Sequence, residues 1–542
     1  MSQVRLLDCT LRDGGYLNDW KFGQDNLVSV FERLVDSGVD IIEIGFLDER
    51  RPFDIDRSIM PDTESVEKIY GLLDRKQAMV VGMIDYGTCG LQNIQLCENS
   101  YLDGIRVIFK KHLMHPAMEF CRKLKKLGYK VFSQLVSITS YNDEELLELV
   151  DLVNNVKPYA VSMVDTYGLL YPDELLHYYE ILDQHVDLQV QIGFHAHNNL
   201  QLAHANSLAF LNKPGRHDIV VDGTLYGMGK GAGNAPLELL AVYLNEKSGK
   251  QYRVDPMLEG INESIKDFYA NVPWGYQTFF YLCGKNHCHP NYLTYLNSTQ
   301  NLSISSLDML LGQIGPEDKK LLYDESVAGQ LYESYLNNEG SDTVSREAFA
   351  EVIEGKKILL VGPGRNIRLQ GQKVQKLIEE KTPFVISINY IPEQIDIDCV
   401  FVTNSKRYHD MTLVLKEEKN TGIKLLATTN VECRNGKFDY VINRAPLLER
   451  NERIVDNSFL MLVKFLNSIG VQEVFCAGFD GYSDKESNYC NPTMEYAFIK
   501  QEAPHLNRHI KSAIAELRQT MDIQFITYSA YDVEEDINGA AI

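Results

Sequence analysis

Apolar and polar positions repeat one pattern through the first half of the chain. Short apolar runs of strand length alternate with longer segments whose apolar residues recur every three or four positions. This pattern is typical of strands alternating with amphipathic helices. The runs that predict strands are 4–9, 40–46, 78–84, 104–109, 130–136, 160–165, 188–197 and 218–224. Between them, 24–38 has helical spacing and ends on glycine, and 140–153 opens with Ser140 and an acid three residues later, which resembles a capping box.

The alternation predicts the fold of the first domain. Strands that alternate with helices form parallel βαβ units. Eight such units within about 250 residues predict a closed (β/α)8 TIM barrel over residues 1–250. An open doubly wound sheet is the alternative.

The pattern changes after residue 250. Residues 251–350 contain helical segments and many tyrosines, and they predict a helical extension that closes over the barrel or forms a dimer contact. Within it, the spacing of Cys283, Cys288 and His289 matches no common structural zinc site, so we interpret these side chains as packing residues.

A second α/β unit is predicted over 355–542. Its opening segment, KKILLVGPGRNI, has an apolar strand, a turn containing Gly362 and Gly364, and the start of a helix. Further strands at 384–389, 397–404 and 471–481 predict a Rossmann-like domain. A glycine turn at a helix start suits a phosphate. The segment lacks the full G-x-G-x-x-G motif, so a tight turn without a ligand is the alternative.

Composition and charge limit the kinds of partner that this protein is expected to bind. The 542 residues carry a formal net charge of -22, which argues against a nucleic acid or an anionic membrane as the main partner. The 10 cysteines form no paired framework, as expected in a reducing cytoplasm. No apolar run approaches the roughly 20 residues of a membrane span, and the first strand leaves no room for a signal peptide.

Candidate metal ligands stand at the ends of predicted strands. His195 and His197 are two residues apart in GFHAHNN, so both side chains leave one face of a strand. Asp13 follows the first strand and Asn234 follows the eighth. The carboxyl ends of barrel strands share one rim. The sequence therefore predicts a divalent metal there, Mn²⁺ or Mg²⁺ in the first place, with Co²⁺ or Zn²⁺ as alternatives.

Three motifs carry a family resemblance. DCTLRDGG (8–15), GFHAHNNLQLA (193–203) and GMGKGAGNAPLE (227–238) resemble the DRE-type TIM-barrel aldolases and lyases, which include HMG-CoA lyase and 4-hydroxy-2-oxovalerate aldolase. The resemblance implies Asp13, His195 and His197 as metal ligands and Asn234 as a fourth ligand or a neighbouring amide. It further implies that Arg12 stabilises an enolate oxygen, that Glu43 supports this arginine, and that Thr166 lines the substrate site.

One position departs from the family pattern. The pyruvate-aldolase branch reads RDGxH with a catalytic histidine, whereas this chain reads RDGGY and places Tyr16 there. A tyrosine at this place transfers a proton only if its pKa is lowered or a water takes part.

The resemblance implies a metal-dependent carbon–carbon lyase acting on a small 2-oxo acid through a metal-stabilised enolate. We further expect a cytoplasmic homo-oligomer, in the form of a dimer. Three alternatives stay open. They are an acyl-CoA Claisen-condensing synthase of the isopropylmalate or homocitrate type, a bifunctional enzyme whose second α/β unit is a nucleotide- or phosphosugar-binding transferase, and a barrel that serves only as a binding platform.

Overall fold

The chain divides into two compact units in a computed structural model. One unit contains 1–293 and 311–324, and the other contains 294–310 and 325–542. The structure describes residues 3–298, 302, 304–315, 323–337, 341–431, 437–449, 454–491, 494 and 497–532.

The first unit is built around a closed parallel barrel. Its strands are β1 (Val4–Asp8), β2 (Ile41–Leu47), β3 (Ile59–Met60), β4 (Met79–Asp85), β5 (Gly104–Phe109), β6 (Lys130–Leu135), β7 (Ala160–Asp165), β8 (Gln191–Ala196) and β9 (Ile219–Gly223). All strands but β3 form the ring, and β1 closes it by pairing in parallel with both β9 and β2. The short β3 adds to the end of β2 outside the ring and was not predicted. The predicted TIM barrel is confirmed, and the open sheet is excluded.

Helices alternate with the strands of the barrel. They span Gln24–Ser37, Thr63–Tyr70, Met114–Lys126, Asp143–Val156, Pro172–His185, Ala203–Asn212 and Leu237–Ser248. The first ends on Gly38 in the left-handed conformation, with φ of 75°, as its terminal glycine suggested. The fourth has a capping box, but Asn142 and Glu145 form it instead of Ser140. The side chain of Asn142 accepts the backbone N–H of Glu145, and the Glu145 carboxylate accepts the backbone N–H of Asn142. These two reciprocal hydrogen bonds make Asn142 the N-cap.

The interior of the barrel changes from apolar to polar along its strands. Ile41, Phe132 and Val220 belong to a small apolar cluster near the amino-terminal ends. Two residues later on the same strands stand Glu43, Gln134 and Asp222, which are also buried. Because residues i and i+2 of a strand point to the same side, these polar groups form the next layer inside the barrel. That layer lies directly beneath the carboxyl-terminal rim.

Helices continue after the barrel. The described helices between residue 251 and the second sheet are Val254–Gly260, Lys266–Asn271, Thr278–Lys285, Pro290–Ser298, Ile304–Gln313, Glu325–Asn337 and Thr343–Ile353. The last two belong to the second unit. A π-helical turn, Ile261–Ile265, joins the first two. No helix among the described residues has the length and hydropathy to cross a membrane.

The second unit contains a parallel sheet of seven strands. They are β10 (Ile358–Val361), β11 (Phe384–Ile388), β12 (Cys399–Val402), β13 (Lys424–Thr428), β14 (Tyr440–Ile442), β15 (Glu473–Ala477) and β16 (Asp522–Phe525). Their order is β14-β13-β12-β11-β10-β15-β16, so the direction of winding reverses between β10 and β15. The helices are Asn366–Leu369, Gly371–Lys381, Ser405–Met411, Ser458–Ser468 and Ala497–Leu517.

Candidate active site

A tight turn after β1 brings Asp13 to the rim. A single helical turn, Thr10–Asp13, follows the strand directly. The Thr10 hydroxyl donates to the Asp8 carboxylate at 2.6 Å and accepts the backbone N–H of Leu225 at 2.8 Å. Burial raises the pKa of Asp8 to about 7, although both hydrogen bonds from Thr10 oppose the rise. The turn is therefore fixed to the end of β9, on the side of the barrel where β8 also ends.

Asp13, His195 and His197 meet at this rim. One potential ligand atom from each lies within 4.8 Å of the others, and all three residues are buried. Burial lowers the pKa of His197 to about 3, so its imidazole is neutral, as a metal ligand must be. Burial alone would raise the pKa of Asp13, but Arg12 and the two imidazoles hold it below its ordinary range. The cluster thus offers a carboxylate and a neutral imidazole at neutral pH.

The hydrogen bonds of the two histidines leave one nitrogen of each for a cation. His195 Nδ1 lies 3.1 Å from the Asp222 carboxylate, and His197 Nδ1 lies 3.2 Å from the Lys230 carbonyl oxygen. Both partners are acceptors, so each Nδ1 carries the hydrogen and each Nε2 keeps its lone pair. His195 Nε2 is buried and has no hydrogen-bond partner among the described residues. Such an orphaned acceptor fits a metal ligand.

Asn234 is the fourth candidate ligand of the cluster. A bridge pairs its backbone with that of His197, which places it beside the cluster. Its Nδ2 donates to the Asp13 carboxylate and to the Met228 carbonyl oxygen. Within the described part of the chain its Oδ1 is buried and unpartnered. The donor set of one carboxylate, two imidazoles and one amide oxygen suits Mn²⁺, Mg²⁺, Co²⁺ or Zn²⁺.

A chain of buried charges supports the cluster from below. Arg12 donates to Asp13 and, at 2.8 Å, to Glu43. Glu43 also accepts from Arg106 at 3.0 Å, and Arg106 in turn binds Asp222, the partner of His195. A continuous series of buried ion pairs and hydrogen bonds therefore connects Asp13 with His195 through the barrel interior.

A cavity of about 310 Å³ opens above these residues. Its lining includes Arg12, Asp13, Tyr16, Thr166, His195 and His197. The structure thus brings six of the residues singled out in the sequence to one cavity, with Glu43 and Asn234 buried beside them. Thr166 Oγ1 accepts the backbone N–H of Ser137 at 2.7 Å, and burial raises the pKa of the Tyr16 phenol above its ordinary value.

Several residues at this site were missed in the sequence. Arg106 and Asp222 lie inside the barrel, and Lys110, Lys230 and His289 line the cavity. His289, which was interpreted as a packing residue, packs against Tyr167 and also lines the cavity. Its neighbours Cys283 and Cys288 are buried, in agreement with that interpretation.

Gly362 and Gly364 lie in the second unit, in the turn after β10. Their backbone N–H groups donate to Ala477 and Gly478 at 2.8 and 2.9 Å, and Pro363 has none. The Asp480 carboxylate accepts the N–H of Asn366 at 2.8 Å. These amides are therefore engaged within the protein, next to a carboxylate that repels anions.

Comparison with known proteins finds relatives of the barrel. Residues 3–262 match the HMGL-like family model. The chain is 29% identical over 255 residues to a 4-hydroxy-2-oxovalerate aldolase of Pelotomaculum thermopropionicum, which covers 47% of this chain and 73% of the relative. It is 28% identical over 244 residues to an oxaloacetate decarboxylase of Mycobacterium tuberculosis, covering 45% of this chain and 70% of the relative.

Among solved structures, an HMG-CoA lyase of Bacillus subtilis covers 49% of this chain and 93% of its own, with 16% identity and a TM-score of 0.40. The HMGL-like match and the sequence relatives confirm the prediction of an enzyme of the carbon–carbon lyase class. The cluster of Asp13 with His195 and His197 agrees with the predicted divalent metal.

Asp222 provides a first test of the site. Its carboxylate holds the Nδ1–H of His195 and so orients that ring toward the cluster. Asp222→Asn is expected to weaken Mn²⁺ binding about 10- to 100-fold, as loss of an outer carboxylate does at other metal–histidine sites. Calorimetric titration of the metal-free protein measures this. Asp183→Asn, in the last turn of the helix Pro172–His185 and paired with Arg216, serves as the control. Equal affinities for both variants would contradict the role of Asp222.

Proposed function

We propose that the barrel is a divalent-metal-dependent aldolase that forms or cleaves the carbon–carbon bond next to a 2-oxo acid. One observation carries the proposal. Asp13, His195 and His197 converge with the orphaned His195 Nε2 and Asn234 Oδ1, and Arg12 stands beside them in the same cavity. A divalent cation, when bound there, polarises the ketone of the oxo acid and offsets the negative charge of its enolate.

Arg12 supplies the second positive charge at the reacting oxygen. Its Nε and Nη1 are held by Glu43 and Asp13, and Nη2 forms no hydrogen bond among the described residues. The guanidinium is therefore fixed in place with one nitrogen left to donate to the enolate oxygen. A fixed donor at the position where charge develops stabilises the transition state, and removing one typically costs about 10²- to 10³-fold in rate.

Tyr16 and Thr166 border the rest of the substrate space. Because the pKa of Tyr16 is raised, its phenol keeps its proton and acts as a donor rather than as a base. In the cleavage direction the C3–C4 bond of a 4-hydroxy-2-oxo acid breaks and its electron pair enters the enolate, while the C4 hydroxyl proton passes to solvent water as the aldehyde forms. In the synthetic direction Tyr16 is placed to donate a hydrogen bond to the aldehyde oxygen.

The reactions for which two of the relatives are named share one intermediate. Cleavage of 4-hydroxy-2-oxovalerate and decarboxylation of oxaloacetate both leave the enolate of pyruvate. The proposed chemistry is the part common to both. It favours an aldolase over an acyl-CoA-dependent synthase, because neither the aldolase nor the decarboxylase reaction uses an acyl-CoA.

For the second unit we propose a Rossmann-like domain over 355–542. The reversal of strand order between β10 and β15 supports it, because doubly wound sheets have such a reversal and bind ligands at it. A cavity of about 280 Å³ lined by residues that follow β10, β11, β12 and β15 lies at this position.

Exchange of the pyruvate methyl protons tests the aldolase proposal directly. In D₂O with Mn²⁺, the full-length protein is expected to exchange these protons at least about a hundredfold faster than the buffer does, because the site stabilises the enolate. A chelator is expected to remove the exchange, and added Mn²⁺ to restore it. Proton NMR follows the loss of the methyl signal.

A matched pair of histidine variants controls the experiment. His195→Gln removes a candidate ligand, whereas His177→Gln alters an exposed histidine paired with Asp143 on the outer helices. Exchange should be lost only in the first variant. Exchange that resists the chelator, or that is absent from the wild type with every divalent metal tried, would overturn the proposal.

A further inference from the structure

Two lysines at the cavity lack a carboxylate partner. Lys110, directly after β5, and Lys230, in the loop after β9, both line the cavity. Among the described ion pairs neither lysine appears, whereas the adjacent Lys111 binds Glu145 at 2.9 Å and the Ser140 carbonyl oxygen at 2.9 Å. Lys111 is thus a structural residue, and Lys110 and Lys230 hold unbalanced positive charge.

The position of Lys230 is fixed by its surroundings. Lys230 Nζ lies over the Tyr16 ring, 5.3 Å from its centroid, and the Lys230 carbonyl oxygen is held by His197. Asp85, at the end of β4, also lines the cavity and is the carboxylate that faces both lysines. It lies beyond ion-pair distance of either lysine. Asp13 also faces Lys230 but is already paired with Arg12, so the described carboxylates do not balance the two ammonium groups. The charge at this end of the cavity is therefore positive.

His289 adds an uncharged donor to the same end. Its Nδ1 accepts the backbone N–H of Asn291 at 3.1 Å, so the neutral ring carries its hydrogen on Nε2. Burial, together with the charges of Lys230 and Lys110, lowers the pKa of His289 to about 4, which keeps the ring neutral at pH 7. Its ring also packs edge-on against Tyr167 at 5.1 Å, which fixes its orientation.

We propose that Lys110, Lys230 and His289 bind an anionic group, a phosphate or a carboxylate, at the far end of the aldehyde that joins the enolate. The inference rests on the proposed aldolase function and names its substrate class. The cluster of Asp13, His195 and His197 takes the oxo-acid end, and the two lysines take the opposite end. Ammonium groups and an N–H donor form charge-assisted hydrogen bonds with either anion. Aldehydes that end in a methyl or a hydroxyl group leave the lysine charges unpaired.

Matched aldehydes test the inference. The full-length protein with Mn²⁺ and pyruvate is given glyceraldehyde 3-phosphate against glyceraldehyde, and succinic semialdehyde against butanal. The anionic member of at least one pair is expected to have a kcat/KM at least about tenfold higher, and the pair concerned identifies the anion. Lys110→Met and Lys230→Met should each reduce this preference about tenfold. Lys111→Met, which removes a lysine already paired with Glu145, should leave the preference as it is.

A binding measurement makes the test independent of turnover. Calorimetric titration with glycerol 3-phosphate and with butyrate should show saturable binding of one of them, weakened about tenfold in Lys110→Met and Lys230→Met. Equal kcat/KM values within both pairs, together with no binding of either anion, would overturn the inference. The aldolase proposal would still stand if pyruvate exchange persisted. Absence of exchange with anion binding retained would overturn the aldolase proposal instead.

Discussion

Asp13→Asn is expected to abolish tight Mn²⁺ binding and, with it, the exchange of pyruvate protons. The carboxylate is the one anionic ligand in the cluster, and it also holds Arg12 and Asn234 in position. Loss of an outer partner costs about 10- to 100-fold in metal affinity, so loss of the charged ligand should cost more than a hundredfold. Calorimetry with Mn²⁺ on the metal-free protein measures the affinity, and NMR in D₂O measures the exchange.

Asp19→Asn is the matched control for this variant. Asp19 lies a few residues further along the same loop, exposed and paired with Arg51 and Arg57. Its loss removes surface ion pairs that contribute little to stability. Circular dichroism should show both variants folded. Mn²⁺ affinity in Asp13→Asn equal to that of Asp19→Asn would contradict the assignment of the cluster as the metal centre.

The barrel could be predicted because its signals are local and repeated. Apolar runs in the sequence coincide with β5 and β7 residue for residue and with the other ring strands to within three residues. Once the ring was predicted, its geometry placed Asp13 near His195 although they are 182 positions apart, since all carboxyl ends of the strands share one rim. The placement of the cluster thus followed from topology rather than from any contact visible in the sequence.

Other residues of the site left weaker signals. Arg106 stands in the strand GIRVIF, where one charged residue among apolar neighbours is normally assigned to the solvent side. It points into the barrel because Glu43 and Asp222 occupy the same layer and neutralise it. The signal was present in the pattern, since each strand of the layer has one polar residue two positions after an apolar one. His289 had no such signal, because an irregular helical extension brings it to the cavity.

In the second unit, a short glycine motif was not enough to predict a ligand. The turn containing Gly362 and Gly364 suggested a phosphate, but its N–H groups bind the end of β15 and Asp480. β13, β14 and β16, which lie toward the two edges of the sheet, had not been predicted. Short strands near the edge of a sheet have few residues from which to read a period.

The buried charge chain makes Arg106 the residue whose loss should cost the most stability. Its guanidinium is fully buried and binds Glu43, Gln134 and Asp222. Arg106→Met keeps about the same volume but leaves buried Asp222 without its arginine and Glu43 with Arg12 alone. Breaking a buried ion pair in this way typically costs about 3–5 kcal/mol. Urea unfolding should show this loss, and Mn²⁺ affinity should fall as well because Asp222 no longer holds His195.

Arg122→Met removes an exposed arginine paired with Glu119 on an outer helix and should change the free energy of unfolding by less than about 1 kcal/mol. Equal stability of the two variants would mean that Glu43 and Asp222 are neutralised without Arg106. The series of ion pairs from Asp13 to His195 would then not depend on this arginine.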